Sequence, residues 1–247
     1  MEQPIPLPID RLAGKVTGIF PSLLLRVCAD ALLGLLHAAD VTKRIIIGIA
    51  GVPGSGKSTL AAAVTARINA LLPQPDPSRA PVAVALPMDG YHFSRAQLAS
   101  MPDPTMAIHR RGAAFTFDGE GFHALVLALA QPIDSSKTIF APSFDHATKD
   151  PVADAIAIAP ESRIVVLEGN YVALDRAPWK EAAQLMTELW YIDISPAVAH
   201  ERLAKRHLAS GIVADKTEAW ERAMGTDELN AQDIRANLLP TRESLAL

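Results

Sequence analysis

The segment IIIGIAGVPGSGKSTLAAAVTARINALL, from Ile45 to Leu72, constrains the fold more than any other part of the chain. Its first part, Arg44 to Ala50, is a short β-branched run of the kind that forms a buried strand. Its last part, Lys57 to Leu72, reads as a helix. Between them Gly51, Gly56, Lys57 and Ser58 satisfy G-x-x-x-x-G-K-[ST]. Glycines in such a turn let several backbone N–H groups converge on phosphate oxygens. The helix that follows turns its positive end toward the same anion. The pattern therefore predicts a nucleoside-triphosphate site built from Gly51, Val52, Pro53, Gly54, Ser55, Gly56, Lys57, Ser58 and Thr59. Lys57 is expected to reach the β- and γ-phosphates, and the Ser58 hydroxyl to ligate Mg²⁺.

The rest of the chain repeats the strand-then-helix order. Val82–Leu86, Arg163–Leu167 and Leu189–Ile194 read as strands, and Ser195 caps a helix that has Pro196 at its first position. Alternation of this kind predicts an α/β fold: a three-layer α/β/α P-loop NTPase with a mostly parallel central sheet. Residues 9–40 look helical, split at Gly14, Gly18 and Pro21. They predict an N-terminal helical extension over 1–43 that packs on a core domain over 44–247. Asp118 is placed to cap a helix running through Leu129. Residues 202–230 predict a hinged helical lid, one helix carrying Arg202 and Arg206, a break at Gly211, and a second helix through about Met224. Arg202 and Arg206 lie four apart, where like charges repel unless an anion joins them. ATP phosphates are the expected anion, with Glu201 the alternative neutraliser.

Bulk properties narrow the function classes. At 247 residues, 49% hydrophobic and 20% charged, the chain can bury a substantial core. A formal net charge of -4 gives no bulk field for nucleic acid or an anionic membrane surface. No apolar run reaches the length of a membrane helix, and MEQPIPLPID lacks the layout of a signal peptide. Cys28 is the single cysteine and reads as a buried thiol, so a disulfide within the chain is excluded. The expectation is a cytoplasmic monomer or homodimer acting on a small molecule.

Two carboxylates fall where ligands bind in such sheets, at strand carboxyl ends. Asp89, in PMDGYHFSR, is positioned to take a proton from an attacking hydroxyl; the competing reading is a plain Asp-Gly turn. Glu168, in VVLEGNY, suits a contact to Mg²⁺ or its water, or else is an acid exposed at a strand end. Arg110 and Arg111 offer guanidinium groups to an anionic or polyhydroxyl acceptor, or face water. Trp179, Trp190 and Trp220 read as packing residues, and His109, His123 and His200 show no metal-like grouping.

Five ordered motifs, GIAGVPGSGKST, PMDGYHF, RRGAAFTFD, APSFDHATKDPV and VVLEGNYV, resemble the phosphoribulokinase/uridine kinase family of P-loop kinases. Their wording is most similar to the bacterial fructose-transport-system kinase group and its fungal ATPase-like relatives, with pantothenate and nicotinamide riboside kinases more distant. The resemblance covers about residues 44–240. It implies that Asp89 is the catalytic aspartate and Glu168 the metal-associated acid, and that Tyr91, His92, Arg111 and Asp145 line the acceptor pocket. His146 stands where relatives often carry Arg. A regulatory GTPase is disfavoured, because D-x-x-G occurs at Asp118 to Gly121 but N-K-x-D is absent. The combined expectation is an ATP- and Mg²⁺-dependent kinase of a small hydroxyl compound, with Lys57, Asp89 and Arg206 catalytic. A P-loop ATPase or nucleotide-dependent switch without an acceptor is the alternative, and Asp89 separates the two.

Overall fold

The computed structural model describes residues 22–73, 76, 78–145, 147–211, 213–241 and 243–246. The first of the two predicted N-terminal helices and His146 lie outside the described residues.

Five strands, β1 (Ile45–Gly51), β2 (Ala83–Pro87), β5 (Ile164–Gly169), β6 (Glu188–Asp193) and β7 (Glu243–Ala246), form one sheet in the order β2-β5-β1-β6-β7. Every pairing in it is parallel. β1 and β5 are buried at every position, as continuous apolar strands in a doubly covered sheet must be. The register sets Ala50 beside Gly169, and Gly51 beside Ile192, so the ends of β1, β5 and β6 open onto one rim. A separate antiparallel pair, β3 (Ile139–Asp145) and β4 (Asp150–Ile158), has a register shift between Ala141 and Ser143.

Helix α1 (Ser22–Ala38) packs on α2 (Lys57–Leu71), and α2 packs on β1, β2 and β5. Leu24, Cys28, Ala29 and Leu32 of α1 join the central core. The short helices α3 (Arg95–Ala99) and α4 (Pro104–His109) follow β2, and α5 (Gly119–Ala130) packs on α6 (Trp179–Gln184). Asp118 caps α5, its carboxylate accepting from the Gly121 amide at 2.8 Å. Phe117, Phe122, Tyr171 and Trp179 meet as an aromatic cluster, mostly edge-on or tilted.

The C-terminal third holds α7 (Pro196–Ala209), α8 (Lys216–Met224) and α9 (Thr226–Ala236). Ser195 caps α7 with Pro196 in its first turn. Of the three tryptophans, Trp179 and Trp190 are core residues, but Trp220 is 42% exposed on α8. It lines a surface cleft with Ala204, Lys205 and Leu208 of α7 and is not a core residue. Among the described residues no helix is long and apolar enough to cross a membrane.

Candidate active site

The phosphate loop leaves β1 and enters α2 with its lysine turned inward. Lys57 is buried, and its Nζ donates to the Val52 main-chain oxygen at 2.9 Å, with Ser55 Oγ at 3.5 Å. Burial pushes its ammonium down from 10.5 to about 8, opposed by the negative charges of Glu168 and Asp89. Gly54 has φ +79°, and a Cβ there would lie 2.8 Å from the Ala199 main-chain oxygen of α7. Glycine thus lets the loop and the α7 helix touch.

Glu168 ends β5 and is also buried. Burial raises its carboxyl above the usual range, while Lys57 and a hydrogen bond with Ser58 hold it down. Asp89 sits in a 3₁₀ turn, Met88–Tyr91, directly after β2. Ser58, Asp89 and Glu168 line one cavity of about 320 Å³, walled on the far side by Ser143 and Phe144 of β3. Three oxygen-bearing side chains distant in sequence thus converge at the carboxyl ends of β2 and β5.

The approach of β3 depends on Gly90. A Cβ there would collide with the main-chain oxygen of Pro142. His92 closes the turn: its Nδ1 lies 2.9 Å from the Asp89 main-chain oxygen, and its ring stands between Phe117 at 3.9 Å and Phe144 at 4.8 Å. Arg111 reaches the same wall. Its Nη2 donates to Phe93 O at 3.0 Å and Asp150 Oδ1 at 3.3 Å, and its guanidinium carbon lies 5.6 Å from the Phe144 ring centroid. The Arg111 Nε is buried without a partner among the described residues. Arg110 turns away to Asn230 of α9, at 3.1 Å.

Of the four residues expected to line the acceptor pocket, none is among the cavity's lining residues; His92 and Arg111 contact its Phe144 wall, and Tyr91 and Asp145 make contacts of their own. Tyr91 is buried and its ring meets Phe122 edge-on at 5.5 Å, because the 3₁₀ turn sends it into the core. Asp145 ends β3. Its Oδ1 accepts from the Ala147 amide at 2.8 Å. Conversely, Ser143, Phe144 and Asp150 were not singled out from sequence. Their signal lay in APSFDHATKDPV, whose value shows only once the hairpin folds over the Asp89 turn.

The predicted lid arginines both face the phosphate loop. Arg202 Nη1 donates to Ser55 O at 3.2 Å, and the charge of Arg206 acts on Lys57 and Glu168. Glu201 pairs with Lys205 at 2.6 Å rather than with either arginine. The other side of α7 is tied to α9, where His200 Nε2 meets Glu228 Oε2 at 2.8 Å and His207 Nε2 meets Asp227 Oδ2 at 2.7 Å.

Residues 46–210 match the family model for the phosphoribulokinase / uridine kinase family. The chain belongs to that family. An ATP-dependent kinase-like protein of Aspergillus versicolor is 57% identical over 157 residues, 63% of this chain and 91% of that one. A Schizosaccharomyces pombe protein described as a candidate uridine kinase is 39% identical over 197 residues, 80% of each chain. The solved structure of a protein from Silicibacter, described as a candidate fructose transport system kinase, superposes with a TM-score of 0.73. It is 32% identical, and the match covers 88% of this chain and 98% of that one. This phosphoribulokinase/uridine kinase family member is thus a P-loop kinase, and the family implies ATP as the phosphoryl donor.

The donor set fits Mg²⁺. Among the described residues no three or more His, Cys, Asp or Glu side chains group to hold a metal by themselves. Magnesium does not need such a cage, since it binds through one or two protein oxygens plus phosphates and water. The hydrogen-bonded Ser58 hydroxyl and Glu168 carboxylate supply hard oxygen donors on the cavity wall.

Proposed function

We propose that the chain is an ATP-dependent small-molecule kinase that transfers the γ-phosphoryl group of ATP to a hydroxyl of a small metabolite in the cytoplasm. A sugar such as fructose ranks first, ahead of a nucleoside and a pantothenate-like alcohol. Fructose and uridine appear in the descriptions of the similar proteins. The observation that carries the reading is the shared cavity. Asp89 stands in the same 320 Å³ space as Ser58 and Glu168, so an acceptor hydroxyl entering it meets a carboxylate beside the phosphate loop.

In this reading Asp89 accepts the hydroxyl proton as the oxygen attacks phosphorus. Lys57 and Arg206 stabilise charge on the moving phosphoryl oxygens. Ser58 and Glu168 would hold Mg²⁺, which would supply positive charge against the phosphate oxygens. Arg111 braces the Phe144 wall of the cavity, and His92 fixes the turn that carries Asp89. No nucleic acid or membrane takes part.

The test is a panel of hexoses, pentoses, nucleosides and pantothenate-like alcohols, with ADP release followed with and without each compound. One compound is expected to raise ADP release at least tenfold, and Asp89→Asn to abolish that increment. ADP release that is the same with every compound and without any would replace the kinase with an ATPase.

A further inference from the structure

At the end of the sheet opposite the phosphate loop, a guanidinium is buried without a counter-ion. Arg44 immediately precedes β1, so about 20 Å of extended strand separates it from Gly51. The residue is 7% exposed. Its hydrogen bond among the described residues runs from Nε to the Ser162 main-chain oxygen at 3.2 Å. None of the ion pairs among the described residues includes it. The charge that does act on it is another cation, Arg163, and burial together with that repulsion lowers its pKa. Arg163 donates to the main-chain oxygens of Lys43 at 3.0 Å and Asp40 at 2.9 Å, and its charge also acts on the exposed Asp40 carboxylate.

Arg44 lines a cavity of about 240 Å³ whose other polar walls are Gln131, Asp134 and Lys137, from the loop between α5 and β3. That loop is pinned beside Arg44 by the Ile133 amide, which donates to Thr42 O at 2.7 Å. Asp134 does not neutralise the arginine. Its Oδ1 is engaged by the Ser136 amide at 2.9 Å and hydroxyl at 2.7 Å, and its charge is not among those acting on Arg44. A buried cation beside a second cation is unfavourable unless an anion completes the group. The forked donors of Arg44, the exposed Gln131 amide and the exposed Lys137 ammonium, whose charge also acts on Asp134, match the oxygens of a small oxyanion.

We propose that this cavity is a binding site for a small oxyanion, a phosphate or a carboxylate, held by Arg44 and Lys137 and separate from the phosphate loop. The two sources share the same chemistry and are told apart by titration.

In the test, the phosphate loop is first saturated with Mg²⁺ and ADP. The protein is then titrated with inorganic phosphate and, separately, with succinate, at constant ionic strength in chloride. Melting temperature and heat of binding are recorded for wild type, Arg44→Met and Lys137→Met. The wild type is expected to bind at least one of the two anions saturably, its melting temperature rising by roughly 5 °C or more near one hundred times Kd. The Arg44→Met response should vanish, and Lys137→Met should weaken Kd at least tenfold. Without anion, Arg44→Met should melt no lower than wild type, whereas a purely structural arginine would lower it. Absence of saturable binding of both anions to the wild type overturns the proposal, and so does an undiminished response in Arg44→Met. Should Arg44→Met fail to fold, the exposed Lys137→Met carries the test, and an unchanged Kd there overturns it.

Discussion

Arg202 of α7 donates to the main-chain oxygen of Ser55 at 3.2 Å, so α7 bonds directly to the phosphate loop. Arg206, one turn further on, acts electrostatically on Lys57 and Glu168. A guanidinium in that position gains most when negative charge develops in a site that excludes water. Arg206→Ala is therefore expected to lower kcat by roughly 10²-fold or more while raising the KM for ATP by less than tenfold. Steady-state kinetics with varied ATP checks this, and a change confined to KM would demote Arg206 to ground-state binding. The region from 210 to 230 should also resist protease best with ATP and acceptor together, compared with ATP alone.

Lys57 connects catalysis to stability. Its folded value of about 8 lies below the ordinary 10.5. Between those limits the unfolded chain binds more protons, so stability rises with pH across the window and is lost as pH falls through 8. That difference corresponds to roughly 3 kcal/mol, partly offset by the hydrogen bond from Lys57 to Val52. Lys57→Met is expected to abolish turnover and, because the buried Glu168 loses its counter-charge, to change stability at pH 7 by no more than about 2 kcal/mol, with the variant gaining relative to wild type as pH falls from 10 to 7. Urea unfolding at pH 7 and pH 10 measures it, and a variant that gains nothing relative to wild type between pH 10 and pH 7 would contradict the assignment.

Asp89→Asn separates proton transfer from binding. The amide keeps the shape of the turn but cannot take a proton, so acceptor phosphorylation should fall by roughly 10² to 10⁴. ATP affinity, measured by calorimetry, should stay within a few-fold of wild type. A parallel loss of nucleotide affinity would instead make Asp89 a metal or structural residue.

The sheet and the phosphate loop were legible because parallel strands covered on both faces need unbroken apolar runs, and IIIGIA and RIVVL are such runs. Strand β7 was not, since ESLA is short and lies at a sheet edge where burial imposes little pattern. The β3–β4 hairpin was hidden by Pro142 and Pro151 and by the exposure of β4. Nearness in sequence to Asp89 does not show that Tyr91 points into the core, because a 3₁₀ turn sends adjacent side chains in different directions. The four-residue spacing of Arg202 and Arg206 was legible in the sequence, whereas the bond from Arg202 to Ser55 is a three-dimensional property. Arg44 drew no attention, since one basic residue before a strand has no pattern and its missing counter-ion is a three-dimensional property.

Gly90 tests whether the hairpin wall sets the catalytic geometry. A methyl group there must displace either the Asp89 turn or the Pro142 carbonyl of β3, and overpacking of this kind costs about 1–3 kcal/mol. Since the turn carries Asp89 and the strand carries Ser143 and Phe144, Gly90→Ala should misplace the two sides of the cavity relative to each other. Acceptor turnover is expected to fall at least tenfold, with ATP binding little changed, because the phosphate loop lies on a different strand. Gly34→Ala is the matched control. A Cβ on Gly34 meets nothing within 4 Å, and the residue lies inside α1, so the same added methyl should stabilise by about 0.5–1 kcal/mol and leave kinetics alone. Thermal melts and acceptor-dependent ADP release on the two variants read both effects. Wild-type turnover in Gly90→Ala would show that the hairpin does not set the position of Asp89.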